Sequence, residues 1–215
     1  MLKNYVITIA RGFGSGGKEI AAILSEELQI PYYDKQILKM ASDQTGISEN
    51  LFVDVDEKLK GSHISKLLKG MPSQYIAEPS DKKFLSEDNL YHIQKKIIEE
   101  LAKTESCIIL GKCADRILAG YENAVSYFID APREYCICSV IEKLGVSEEE
   151  AESMVVRTNK YRTEYYKYYS GGRDWKDPLN YDLILNAGRL GKREAVRIIK
   201  NHIKSKLNVE AAKRD

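Results

Sequence analysis

The residues best suited to chemistry lie between Gly12 and Glu19. Gly12, Phe13, Gly14, Ser15, Gly16, Gly17 and Lys18 follow the spacing G-x-x-x-x-G-K, a phosphate-binding loop. Glycines permit positive φ and a close backbone approach to a ligand. Successive N–H groups then point inward as an anion nest, and the following helix adds the partial positive charge of its N-terminus. Lys18 brings an ammonium to the β- and γ-phosphate oxygens. Ser or Thr usually follows this lysine and binds Mg²⁺; here Glu19 stands in that place. Its carboxylate has two readings, a ligand for magnesium or its water shell, and a favourable charge at a helix start.

Other candidates follow in chain order. Asp34, after Pro31-Tyr32-Tyr33, reads equally as a helix N-cap and as a polar residue beside the second substrate of a phosphotransferase. Lys112 and Asp115 follow the apolar run Cys107-Ile108-Ile109-Leu110. Polar residues at the carboxyl end of a parallel strand border the ligand crevice. Arg157, Arg162 and Arg173, with Lys160, fall in one segment that also holds Gly171-Gly172. Phosphoryl transfer is catalysed mostly by positioning and by cationic clamps. A segment of this kind can close over the phosphates as a lid and exclude water. Its plainer reading is a charged amphipathic helix and a surface loop, with Tyr161, Tyr165 and Tyr169 packing on the core.

The elements that must hold these residues are readable from periodicity. Val6, Ile7 and Ile9 suit a strand buried on both faces. A helix is predicted from about Lys18 to Leu28, stopped by Pro31, then one with Ile37, Leu38 and Met40. Another is predicted over 48–60. The pattern weakens from 61 to 86, and the stretch 58–86 reads as an inserted, mobile acceptor-side segment or an ordinary solvated loop. Ser86 opens a helix carrying Leu90, Ile93, Ile97 and Leu101. Strands are predicted at Cys107–Leu110, Ala124–Ile129 and Tyr181–Leu185. Asp130 is the expected N-cap of a helix that Gly145 ends. Ser147 and Glu150 form a capping box for a long helix running toward Tyr169. The final helix buries Val196, Ile199, Ile203 and Leu207 and turns Arg193, Arg197, Lys200 and Lys204 to solvent. Strands alternating with helices predict a doubly wound α/β fold with a mostly parallel sheet.

The 215 residues suit a single domain, with 58–86 as insert and 157–178 as lid. A net charge of +1 gives no general pull toward nucleic acid or an acidic membrane. No apolar run reaches the ~18 residues a membrane span needs. The first residues enter a strand without a signal peptide, so a cytoplasmic location is expected. Cys107, Cys113, Cys136 and Cys138 form no C-x-x-C pair and are expected as buried free thiols, with no protein-held metal centre. Oligomeric state is not legible in the sequence.

At this point the chain resembles the cytidylate-kinase-like family of P-loop kinases. The matching pieces are Arg11–Lys18, Pro31–Lys35, Leu110–Asp115, Tyr165–Tyr169, Asp177–Asp182 and Arg189-Leu190-Gly191. The resemblance implies a kinase core, an inserted acceptor-binding segment and an arginine-bearing lid. It implies ATP phosphates on Gly12 to Lys18, an acceptor facing Lys112, Asp115 and Asp182, and phosphoryl clamps from Arg157, Arg162 and Arg173. Asn186 to Arg189 would border the adenine. Two positions depart from authentic cytidylate kinases, which carry G-K-G-T where this chain has Gly17-Lys18-Glu19-Ile20, and usually arginine where Lys112 stands. The expected activity is ATP- and Mg²⁺-dependent phosphoryl transfer to a nucleoside monophosphate, CMP or dCMP first. The alternatives are a small-metabolite kinase with a hydroxyl acceptor, for which Asp34 is the natural base, and a nucleotide-binding regulatory module without turnover.

Overall fold

Alternation along the strands decides the layers. The computed structural model describes residues 4–34, 37 and 87–207. In β1 (Val6–Arg11), Ile7 and Ile9 enter one apolar cluster and Val6 the opposite one. In β3 (Cys107–Leu110), Ile108 and Leu110 join Ile7, while Cys107 and Ile109 join Val6. Every residue of β3 is buried, as a strand covered on both faces must be.

The remaining strands are β2 (Tyr32–Tyr33), β4 (Ala124–Asp130) and β5 (Leu183–Asn186). All five run parallel in the order β2-β3-β1-β4-β5. One face is covered by α1 (Gly17–Leu28), through Ile20, Leu24 and Leu28, and by the C-terminal helix Lys192–Leu207, through Val196, Ile199, Ile203 and Leu207. The other face is covered by α2 (Glu87–Thr104) and the short α3 (Ala114–Ile117), with Leu90, Ile93, Ile97, Leu101 and Ile117. The doubly wound parallel fold expected from the pattern is the fold observed.

The helices α4 (Arg133–Leu144) and α5 (Glu148–Tyr169) pack together through Cys136, Val140, Ala151 and Val155, with the Phe13 ring against this cluster. Ser147 caps α5 by accepting the Glu150 N–H at 3.2 Å. Two short elements complete the described chain, the 3₁₀ turn Pro178–Asn180 and α6 (Ala187–Leu190); the C-terminal helix is α7.

Some expectations need correction. Asp130 does not cap α4: it ends β4, its Oδ1 accepts from the Ala131 N–H, and Pro132 occupies the cap position. The last strand begins two residues later than expected, at Leu183, because Asp177 caps the 3₁₀ turn that precedes it. Cys107, Cys113 and Cys136 are buried thiols, but Cys138 is exposed. The insert 58–86, the helix expected over 48–60, and Leu38 and Met40 of the helix after Asp34 lie outside the described residues. No helix of the described residues is long and apolar enough to cross a membrane.

Candidate active site

Parallel strands deliver their carboxyl ends to one edge of the sheet. Arg11 ends β1, Asp34 follows β2, Gly111 and Lys112 follow β3, and Asp130 ends β4. Above this edge opens a cleft of about 590 Å³. Its lining includes the loop from Gly12 to Gly17 apart from Ser15, with Lys18, Glu19, Asp34, Lys112 and Asp115, and from α5 Thr158, Tyr161, Arg162, Tyr165 and Tyr166.

The loop has the form its sequence calls for. Gly14 and Gly16 have φ of 78° and 88°. A Cβ on Gly14 would also lie 2.5 Å from the Cys136 carbonyl oxygen, so no other residue fits there without a shift. Ser15 is fully buried and donates its hydroxyl to the Ile129 carbonyl at 3.0 Å, tying the loop to β4. Gly16 caps α1, so the loop leads directly into a helix N-terminus.

Three charges converge beside the loop. The Arg11 guanidinium donates to Asp34 Oδ1 at 3.1 Å, and the Lys18 ammonium lies 3.6 Å from Asp34 Oδ2. The Asp34 carboxylate is thus engaged by two cations of the cleft. Glu19 turns to α4 and pairs with Lys143. Burial alone would raise the Glu19 carboxyl, but Lys143, the helix-start amides and Lys192 outweigh it and hold it below the usual range. Glu19 is thus a charge partner at the helix start, not a bare carboxylate facing the loop.

On the β3 side the backbone is unusual. Gly111, Lys112 and Cys113 are successive left-handed residues, with φ of 69°, 58° and 53°. For the two that are not glycine this costs about 1–2 kcal/mol each. Strain of this kind persists where the surroundings enforce it, as at ligand-binding turns. The turn leads into α3, where Asp115 is half-buried and accepts the Tyr166 hydroxyl at 2.7 Å. Desolvation pushes the Asp115 carboxyl up to about 6, opposed by the Tyr166 bond and by nearby Arg116. A carboxyl that titrates this near neutrality at a cleft wall is a candidate contact for a ligand N–H or O–H.

Helix α5 forms the far wall. Arg162 donates to the Arg11 carbonyl at 2.9 Å and lies over the Phe13 ring, 5.7 Å from its centroid. Asn159 Oδ1 accepts the Phe13 N–H at 2.8 Å. Tyr161 and Tyr165 line the cleft, and Tyr169 stacks on Tyr91 at 4.0 Å. The tyrosines therefore pack at one end of the helix and line the cleft at the other.

Several candidates lie elsewhere. Asp182 precedes β5 at its amino end, the opposite edge of the sheet. There it accepts from the Ser126 N–H and from Lys206, in a second groove that Asp115 also borders. Burial raises the Asp182 carboxyl, but these donors outweigh it and leave it lowered. Arg157 is exposed and outside the cleft lining. Arg173 is exposed, reaching Asn180 Oδ1 at 3.4 Å. Arg189 is exposed, and its N–H donates to Asn186 Oδ1. Conversely, Asn159, Lys143 and Tyr166 were not singled out as site residues. A helical period through Arg162 would have found Asn159 and Tyr166, three residues before it and four after.

A model of the cytidylate kinase-like family matches residues 6–189. The chain belongs to the cytidylate kinase-like family. Among solved structures, an uncharacterized protein from Eubacterium ventriosum ATCC 27560 is 26% identical, with a TM-score of 0.70 over 94% of this chain and 99% of its own. A shikimate kinase from Acinetobacter baumannii, solved in complex with shikimate, is 12% identical, with a TM-score of 0.51 over 94% of each chain. That second likeness speaks for the fold alone. No curated protein matches the chain. Family and fold together make this cytidylate kinase-like protein a P-loop kinase by architecture.

Proposed function

We propose that this protein transfers the γ-phosphoryl group of ATP to a nucleoside monophosphate, with CMP or dCMP as the first candidates. One observation carries the reading: the phosphate loop with Lys18 shares a single cleft with Arg11, Lys112, Asp115 and Arg162. The loop and Lys18 would hold the ATP phosphates. Arg11 and Lys112, at the carboxyl ends of β1 and β3, supply cations for an acceptor phosphate. Arg162 would stabilise charge on the transferring group from the α5 side. An acceptor phosphate is already ionised at neutral pH, so no strong base is required. Family membership supports the nucleotide acceptor.

ATP in such reactions carries Mg²⁺ on its phosphate oxygens, where the ion neutralises developing charge. Magnesium takes one or two carboxylates besides phosphate oxygens and water. Asp34 fits that need, since it stands beside Lys18. Glu19 fits less well, being engaged with Lys143. The described residues contain no cluster of three or more ligands that would hold a metal by itself.

Asp34 also favours a second reading, a hydroxyl acceptor. A carboxylate beside the Lys18 ammonium could take the proton of an attacking hydroxyl. Arg157 and Arg173, with the segment 157–178, remain proposed lid elements that would need to swing inward to reach phosphates. A small soluble acceptor and a cytoplasmic setting accompany either reading. Assay of ATP turnover with a panel of nucleoside monophosphates and small polyols separates the two. It also separates both from a module that binds nucleotide without turnover.

A further inference from the structure

The phosphate loop is gripped at its first residues from outside the loop. Strand β1 ends at Arg11, so the Arg11 carbonyl and the Phe13 N–H must find partners beyond the sheet. Both find them on one face of α5. Arg162 donates to the Arg11 carbonyl at 2.9 Å, and Asn159, three residues earlier, accepts the Phe13 N–H at 2.8 Å. The Phe13 ring meanwhile packs against the cluster of Cys136, Val140, Ala151 and Val155 that joins α4 to α5. Asn159 itself is fixed in the helix, where its carbonyl accepts the Thr163 hydroxyl at 2.9 Å.

We propose that Asn159 is a positioning residue for nucleotide binding, which fixes the phosphate loop by accepting the Phe13 N–H and so makes the loop's shape depend on the docking of α5. The consequence for nucleotide affinity rests on the phosphotransferase reading; the latch itself does not. Gly14 follows Phe13 immediately and turns left-handed. An error in the Phe13 peptide plane therefore passes straight into the loop. Asparagine suits the task because its neutral carboxamide accepts the N–H without setting a negative charge beside bound phosphate.

The test uses the full chain and two variants. In Asn159→Ala the Phe13 N–H loses its acceptor, and its hydrogen exchange in the nucleotide-free protein should speed up about tenfold. ADP affinity should fall by about the same factor, while kcat at saturating ATP changes less than twofold to threefold. Asn159→Asp keeps an acceptor oxygen, so Phe13 protection should return, but added negative charge should keep ADP affinity low. Unchanged Phe13 exchange in Asn159→Ala, or lost protection that Asn159→Asp fails to restore, overturns the proposal. So does an ADP affinity that Asn159→Ala leaves unaltered in a parent protein that binds ADP. If the parent binds no ADP while the exchange pattern holds, the latch stands and the phosphotransferase reading fails.

Discussion

Asp34 Oδ2 lies 3.6 Å from the Lys18 ammonium while its other oxygen accepts Arg11 at 3.1 Å. This pair joins the phosphate loop to the end of β2 and places one carboxylate between two cations. Replacing Asp34 by Asn separates the two acceptor readings. The amide keeps an oxygen for a metal-bound water but cannot take a proton. With a monophosphate acceptor, kcat should fall less than about tenfold; with a hydroxyl acceptor it should fall by roughly 10²–10⁴-fold, the worth of a general base. Steady-state kinetics with ADP affinity measured in parallel makes the distinction.

Lys18→Ala should lower turnover by roughly 10²–10³-fold, the scale for one lost donor to the transferring group. Lys18 is 61% exposed, so unfolding by denaturant should change little. Turnover within a few-fold of the parent would remove Lys18 from the reaction.

Asp115 gives a pH dependence with a definite sign. Burial raises its carboxyl to about 6 from an ordinary 3.8. Between those values the folded chain holds a proton that the unfolded chain has released, so this group's contribution to stability falls as pH rises through the window. Asp115→Asn should therefore gain stability relative to the parent with rising pH, levelling above pH 6 after a change on the order of 2–3 kcal/mol. Denaturant unfolding at several pH values checks this. Tyr166→Phe removes a bond that opposes the shift, and should move the Asp115 titration further up by carbon-detected NMR.

The frame of this site was legible because its signals are local. The glycine spacing, the buried strands and the Ser147 cap each act within a few residues. What escaped depends on distant docking. The Phe13–Asn159 bond spans 146 residues; helical spacing from Arg162 places Asn159 on the same face of α5, but nothing local says that this face docks on Phe13. Asp182 shows the converse. Its place in the sequence, just before a strand, puts it at the amino edge of a parallel sheet, away from the ligand crevice. Either strand start, the expected Tyr181 or the observed Leu183, leaves Asp182 at that amino end.

Arg162 binds the loop through the Arg11 carbonyl and covers Phe13. Arg162→Ala should depress kcat by roughly 10²-fold and weaken ADP binding less, if its guanidinium stabilises charge that develops during transfer. Equal losses in kcat/KM and in ADP affinity, with kcat retained, would confine Arg162 to ground-state binding.

Glu19→Ser places a hydroxyl where phosphate loops usually carry one and frees Lys143. The half-saturating Mg²⁺ concentration for turnover should fall. The lost ion pair is partly exposed and should cost no more than about 1 kcal/mol of stability. Magnesium titrations of parent and variant, with unfolding curves for each, provide the comparison.

The central claim is phosphoryl transfer from ATP to a nucleoside monophosphate. Its most direct test is ADP release by the purified chain with ATP and Mg²⁺, alone and with each nucleoside monophosphate in turn. The account predicts slow ADP release alone and a large stimulation by CMP or dCMP, with the corresponding diphosphate formed in equal amount. ADP release stimulated only by a hydroxyl acceptor, or by none of the acceptors while ATP binds, would contradict it.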